Sequence, residues 1–182
     1  MKRVFGTVEA IFDILYLASA LIIGITLVLT AHGDLARSVA GVMALVLVIG
    51  DAFHLIPRVI VIQTGKEKEL RNILGRGKQV ASITMTIFYV ILWQLGMLLF
   101  FIKDINLWSY IVYILATMRI IICLMPQNKW EERYPPLNWA IWRNVPFVLQ
   151  GILVAVMYLI YRNAVQGFSL MDVMGGRAKP RD

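Results

Sequence analysis

Seven ionisable side chains stand inside stretches that are otherwise apolar: Glu9, Asp13, Asp51, His54, Arg58, Arg119 and Arg143. A charge at the centre of a membrane-spanning helix costs ~2.5–3.5 kcal/mol on insertion scales, so such residues persist when paired or when facing a wet cavity. Their spacing places them in rows. At ~100° per residue, Asp51, His54 and Arg58 fall within a sector of about 60°, as do Glu9, Asp13 and Tyr16. A histidine flanked by carboxylates is the side-chain set of general acid–base chemistry, since imidazole alone titrates near neutrality without perturbation. His54 is therefore the candidate acid/base, with Asp13 or Asp51 orienting its ring.

The elements that must position these residues are read from hydropathy. Of 182 residues, 59% are hydrophobic and 16% charged, and mean hydropathy is +0.73. Soluble domains are roughly 45–50% apolar and about 25% charged. Five stretches reach the ~20 apolar residues that a span requires: 8–31, 37–62, 80–102, 107–126 and 139–161. The chain is expected to be an all-α polytopic bundle with short loops, one membrane domain, and a tail over 162–182. The breaks carry stop signals, among them Ala31-His32-Gly33-Asp34, Lys103-Asp104-Ile105-Asn106 and Tyr134-Pro135-Pro136. Arg71–Gln79, with Gly75 and Gly77, reads as a separate short interfacial helix with a flexible end.

The net charge of +7 does not point to nucleic acid. The cations sit in short loops, and no basic stripe with interleaved aromatics occurs. Lys2, Arg3, Lys66, Lys68, Arg71, Arg76, Lys78, Lys129 and Arg133 share one side of a five-span chain. The positive-inside rule makes that side, and the amino terminus, cytoplasmic in a plasma membrane. The tail cations Arg162, Arg177, Lys179 and Arg181 run against this pattern. Membrane lipids are the expected partners.

Depth along the spans suggests one site. At ~1.5 Å per residue, Asp13 and His54 lie at a common level in antiparallel helices, and Glu9 can reach Arg58. Arg119 lies near the middle of its span, with Asp51 as the partner at matching depth. Arg143 and Gln150 share a face of the fifth span, and Gln94 lies near the middle of the third. The expectation is a single polar pocket open to the cytoplasm. In it, Arg58, Arg119, Arg143, Gln150, Tyr16, Glu9 and Gln94 would hold a small anionic or amphipathic substrate, and His54, Asp51 and Asp13 would do the chemistry. Plain alternatives exist for each: an ion pair fixing helix register for Asp51 and Arg119, snorkelling for Arg58 and Arg143, interfacial anchoring for Trp108, Trp130, Trp139 and Trp142. Trp93 is deeper and could line the pocket.

No cofactor or metal is implied. Asp13, Asp51 and His54 could ligate a cation, but the arginines beside them would repel it. His32 lies at the opposite level from His54, so no haem ligand pair exists. No lysine sits mid-span for a retinal Schiff base. Cys123, the only cysteine, reads as an inert buried thiol.

The Gly50–Arg58 stretch, followed by Ser82-Ile83-Thr84-Met85-Thr86, resembles an uncharacterised family of small multi-pass membrane proteins of bacteria. The resemblance covers the second and third spans and implies no activity. Five-helix tryptophan-rich sensory proteins would need an aromatic-proline loop after the first span. Alkaline ceramidase-like enzymes would need three histidines. Sterol-isomerase-like domains would need acidic and histidine positions that do not align here.

Three functions fit these residues. The leading one is an intramembrane enzyme acting on an anionic, lipid-like substrate. The second is a small proton-coupled carrier, working as a homo-oligomer, with Asp51 and His54 carrying protons. The third is a non-catalytic subunit or sensor whose charges only pair helices.

Overall fold

The computed structural model describes residues 2–102, 105–132 and 134–161. The expected tail and the Lys103-Asp104 part of the third turn lie outside the described residues. Five α-helices run in chain order: α1 (Lys2–Leu29), α2 (Leu35–Thr64), α3 (Arg71–Leu99), α4 (Leu107–Leu124) and α5 (Leu137–Tyr161). Each is long and apolar enough to cross a membrane, and no strand occurs among the described residues. The chain is a multi-pass membrane protein. Backbone groups in hydrocarbon must be satisfied within the protein, which favours continuous helices over any open alternative.

The helix ends follow local chemistry. Asp34 caps α2 by accepting from the Arg37 amide at 3.1 Å, and Asn106 caps α4 by accepting from Ser109 at 3.0 Å. Gly65 closes α2 in the left-handed region at φ 72° and donates to the Val61 carbonyl, the geometry that glycine tolerates best.

The helices pack as an extended row. α1 packs on α2, α2 also on α3, and α3 also on α4 and α5, which pack on each other. α1 thus has one principal neighbour. It turns Asp13, Gly24 and Leu27 inward, while Ile11, Phe12, Ile14, Leu15 and Ile22 are exposed to what would be lipid. The start of α1 and two connections, α2–α3 and α4–α5, meet at one end of the bundle. Gly6 of α1 lies against Ile62 of α2, and Gly75 of α3 against the Trp130–Glu131 backbone. We call this the basic end.

Arg71–Gln79 does not form a separate interfacial helix. It is the opening of α3, continuous to Leu99. Its glycines serve close packing rather than flexibility, and both are buried. A Cβ on Gly75 would lie 2.7 Å from the Trp130 carbonyl oxygen. A Cβ on Gly77 would lie 2.2 Å from the Phe53 carbonyl oxygen. That oxygen is the one Pro57 leaves without its helical donor. α2 nevertheless stays helical through Pro57, with α3 pressed against it at this point.

Replacing Gly77 therefore forces backbone away from backbone. We expect Gly77→Ala to destabilise the protein by about 1–3 kcal/mol, the usual range for overpacking. Gly151→Ala, whose Cβ would find only ordinary contact at 3.6 Å from Tyr89, should be close to neutral. Thermal unfolding of both variants in detergent checks this.

Candidate functional site

The α1–α2 seam is a ladder of polar rungs. Arg58 and Glu9 form an ion pair nearest the basic end. Deeper, the Tyr16 hydroxyl donates to Asp51 Oδ2 at 2.7 Å. Antiparallel register sets both rungs, since each sequence sum is the same, and Asp13 with His54 shares it. Asp13 and His54 thus occupy the tier between. Asp13 is only 8% exposed. Its Oδ2 and the Nδ1 of His54 are both buried without a hydrogen-bond partner. The charged groups around His54 are Asp13 and Asp51 on the acidic side, Arg58 and Lys78 on the basic side. Gly77 brings α3 against the His54 backbone, with a Cβ there 3.0 Å from His54 Cα. The tier is closed on that side by main chain.

A crevice of about 490 Å³ lies on the α1–α2 seam at the basic end. Ala10, Ile11, Ile14 and Ile62 give it apolar walls, and Gln63 a polar edge. It adjoins the rung of Glu9 in sequence and in register.

The remaining site residues lie elsewhere. Arg119 of α4 is 4% exposed. It donates to Thr86 Oγ1 at 2.8 Å and to the Arg143 carbonyl at 3.2 Å, and its guanidinium lies 3.7 Å over the Phe147 ring. Arg143 donates to Asn128 Oδ1 at 3.2 Å and stacks 4.1 Å over Trp130. Gln150 is fully buried, donates to the Thr86 carbonyl at 3.5 Å, and keeps an unpartnered Oε1. Gln94 donates to the Tyr113 hydroxyl, between α3 and α4. Trp93 is buried with its indole donating to Ser109 Oγ at 2.9 Å, so it packs α3 on α4.

The expected Asp51–Arg119 pair does not form, and the acids of α1 and α2 do not share a cleft with Arg119 and Arg143. Depth was matched to within a turn: Gly50 of α2 lies against Thr84, and Arg119 against Thr86. But residues two apart on a helix point about 200° apart, so Thr84 and Thr86 face opposite sides of α3. The third helix stands between the acid row and the buried arginines. Neither Arg119 nor Arg143 has a carboxylate partner among the described residues. Hydroxyl, amide, carbonyl and ring faces hold them instead, a mode open to guanidinium through its planar fork and aromatic stacking.

The α4 terminus adds polar residues outside the expected site. The helix ends at Leu124 before a 3-10 turn at Pro126–Asn128, leaving carbonyls without helical donors. Asn128 donates to the Ile122 and Met125 carbonyls. Gln79 and Trp130 both donate to that of Cys123, at 3.1 and 3.0 Å. Trp130 is thus a structural donor rather than only an interfacial anchor. The signal was the Pro126 stop with amide donors close behind. Cys123 is buried.

Among the described residues, no group of three or more His, Cys, Asp or Glu gathers as a metal site. No family model, curated protein or solved structure matches the chain.

The separation across α3 is measurable by double-mutant cycles on unfolding in mixed micelles. Asp51→Asn with Arg119→Gln should be additive within about 0.5 kcal/mol, as for distant sites. Asp51→Asn with Tyr16→Phe should show a coupling of about 1 kcal/mol or more, as for a hydrogen bond to a charged group.

Proposed function

We propose that the chain is a membrane-embedded enzyme acting on an anionic, amphipathic, lipid-like substrate, with His54 of the α1–α2 seam as its acid/base. One observation carries this reading. Asp13 Oδ2 and His54 Nδ1 are buried in one tier with no partner. Leaving such groups unsatisfied costs about 1–3 kcal/mol each, more for a charged group, which supports a role beyond packing. Asp13 is then the carboxylate of the same tier placed to exchange a proton with the imidazole. Asp51, held by Tyr16, supplies a second carboxylate beside it. Arg58, half exposed on the same helix face, is the cation placed to hold an anionic group. The apolar crevice beside it offers room for an acyl chain arriving from the bilayer. Arg119, Arg143, Gln150 and Gln94 have no part in substrate contact in this reading.

Purified protein in vesicles of total bacterial lipid, followed by mass spectrometry, tests the proposal. We expect time-dependent conversion of a lipid species that falls about 100-fold or more in His54→Ala, the usual scale of acid–base catalysis. Equal conversion by the variant, or none by the native protein, ends the catalytic claim. A carrier is the second reading, favoured by Asp51 near mid-span with Tyr16 as its hydrogen-bond donor. Accumulation of solute driven by a pH gradient in the same vesicles, abolished by Asp51→Asn, would select it.

We also place the basic end in the cytoplasm and the protein in the plasma membrane. Lys66, Lys68, Arg76 and Lys129 at that end support this by the positive-inside rule. A Lys66→Cys variant should react with a membrane-impermeant maleimide in inverted vesicles and not in intact cells. The native Cys123 is buried and should stay silent.

A further inference from the structure

A second cleft, of about 690 Å³, opens at the basic end between α3, the end of α4 and the loop after it. Its size suits a small-molecule or headgroup ligand. None of its lining residues belongs to the α1–α2 seam, and the inference drawn from it does not rest on the catalytic reading.

The cleft is built on packed backbone and hydrogen-bonded side chains. Its walls meet at the Cys123 carbonyl, which accepts from both Gln79 and Trp130. Gly75 lets the Trp130–Glu131 backbone lie directly on α3. Arg143 braces the Trp130 ring.

Its lining is amphipathic. Val80, Leu124, Met125 and Pro126 form an apolar wall. Leu124 is 59% exposed and continues the outward face of α4, where Ile121 and Met118 are exposed as well. Arg76, Lys129, Glu131 and Glu132 form the polar wall. The ion pairs among them are loosely held: Arg76 to Glu131 at 3.5 Å and Lys129 to Glu132 at 3.0 Å, all four side chains largely exposed. Exposed ion pairs of this kind contribute ~0–1 kcal/mol and can exchange partners readily. The charged lining is balanced, Arg76 and Lys129 against Glu131 and Glu132, with Arg143 set behind the tryptophan. A phosphate entering here would take Arg76 and Lys129 from exposed carboxylates, at the level where α4 ends at Leu124.

We propose that this cleft binds the phosphate headgroup of an anionic glycerophospholipid, with Arg76 and Lys129 on the phosphate and one acyl chain along Leu124 and Val80. Guanidinium and ammonium groups bind phosphate through charge-assisted hydrogen bonds, and the apolar wall explains why the phosphate should come on a lipid rather than free.

Native mass spectrometry of the full chain in detergent, titrated with phosphatidylglycerol, phosphatidylcholine or glycerol 3-phosphate, tests this. We expect phosphatidylglycerol to be retained at least fivefold more tightly than phosphatidylcholine. The Arg76→Gln/Lys129→Gln variant should lose at least tenfold in that affinity. Arg76→Lys/Lys129→Arg, which keeps both charges, should retain most of it and controls for folding. Lys66→Gln/Lys68→Gln removes as much charge from the same end but outside the cleft, and should change affinity less than twofold. Equal losses in the two neutralised variants would reduce the effect to general surface charge and overturn the site. So would equal retention of the two lipids. Glycerol 3-phosphate competing as well as the lipid would overturn the lipid assignment in favour of a soluble phosphate.

Discussion

A charge in hydrocarbon must find its partner inside the protein, and where this bundle meets that demand it does so within neighbouring helix pairs rather than at one centre. The row-like packing, with α3 touching α2 on one side and α4 and α5 on the other, leaves each polar side chain only the helices beside it. Acids and hydroxyls of α1 settle against α2. Arginines of α4 and α5 settle on Thr86, Phe147, Asn128 and Trp130. Desolvating a guanidinium is costly, and here neutral acceptors and ring faces offset the cost, so that no carboxylate is drawn across α3.

This division gives the two halves different characters. Around Arg119 and Arg143, donors are matched to acceptors, with the buried Gln150 Oε1 as the exception. That cluster fastens the end of α4 and the following loop to α3 and α5. In the α1–α2 seam the outer rungs are paired, while the middle tier of Asp13 and His54 is left open. Buried polar networks are stable when fully satisfied and strained when partly satisfied. The unsatisfied tier is therefore where this chain carries a cost that packing alone does not justify. Glycines make both arrangements possible. Gly77 admits α2 and Gly75 admits the loop after α4, so the first turns of α3 hold the two neighbourhoods apart by one helix width.

Length, hydropathy and period determined the five helices, their approximate bounds and their antiparallel neighbours. The Glu9–Arg58 rung also followed from them, because rise per residue and antiparallel register suffice to align two consecutive helices. So did the common level of Asp13 and His54. Only the tertiary structure decided which helix stands between which others. Depth is a property of one helix, whereas partnership needs azimuth around a neighbour, and period alone cannot orient one helix about another. For that reason Asp51 and Arg119 matched in depth yet are not partners. For the same reason Gly75 and Gly77, which read as the flexible end of a short interfacial helix, are contact points, since a glycine's role rests on what approaches it. At the end of α4, Pro126 marks the stop, but the acceptors that Asn128, Gln79 and Trp130 find there are backbone carbonyls, which every residue carries and no sequence pattern distinguishes.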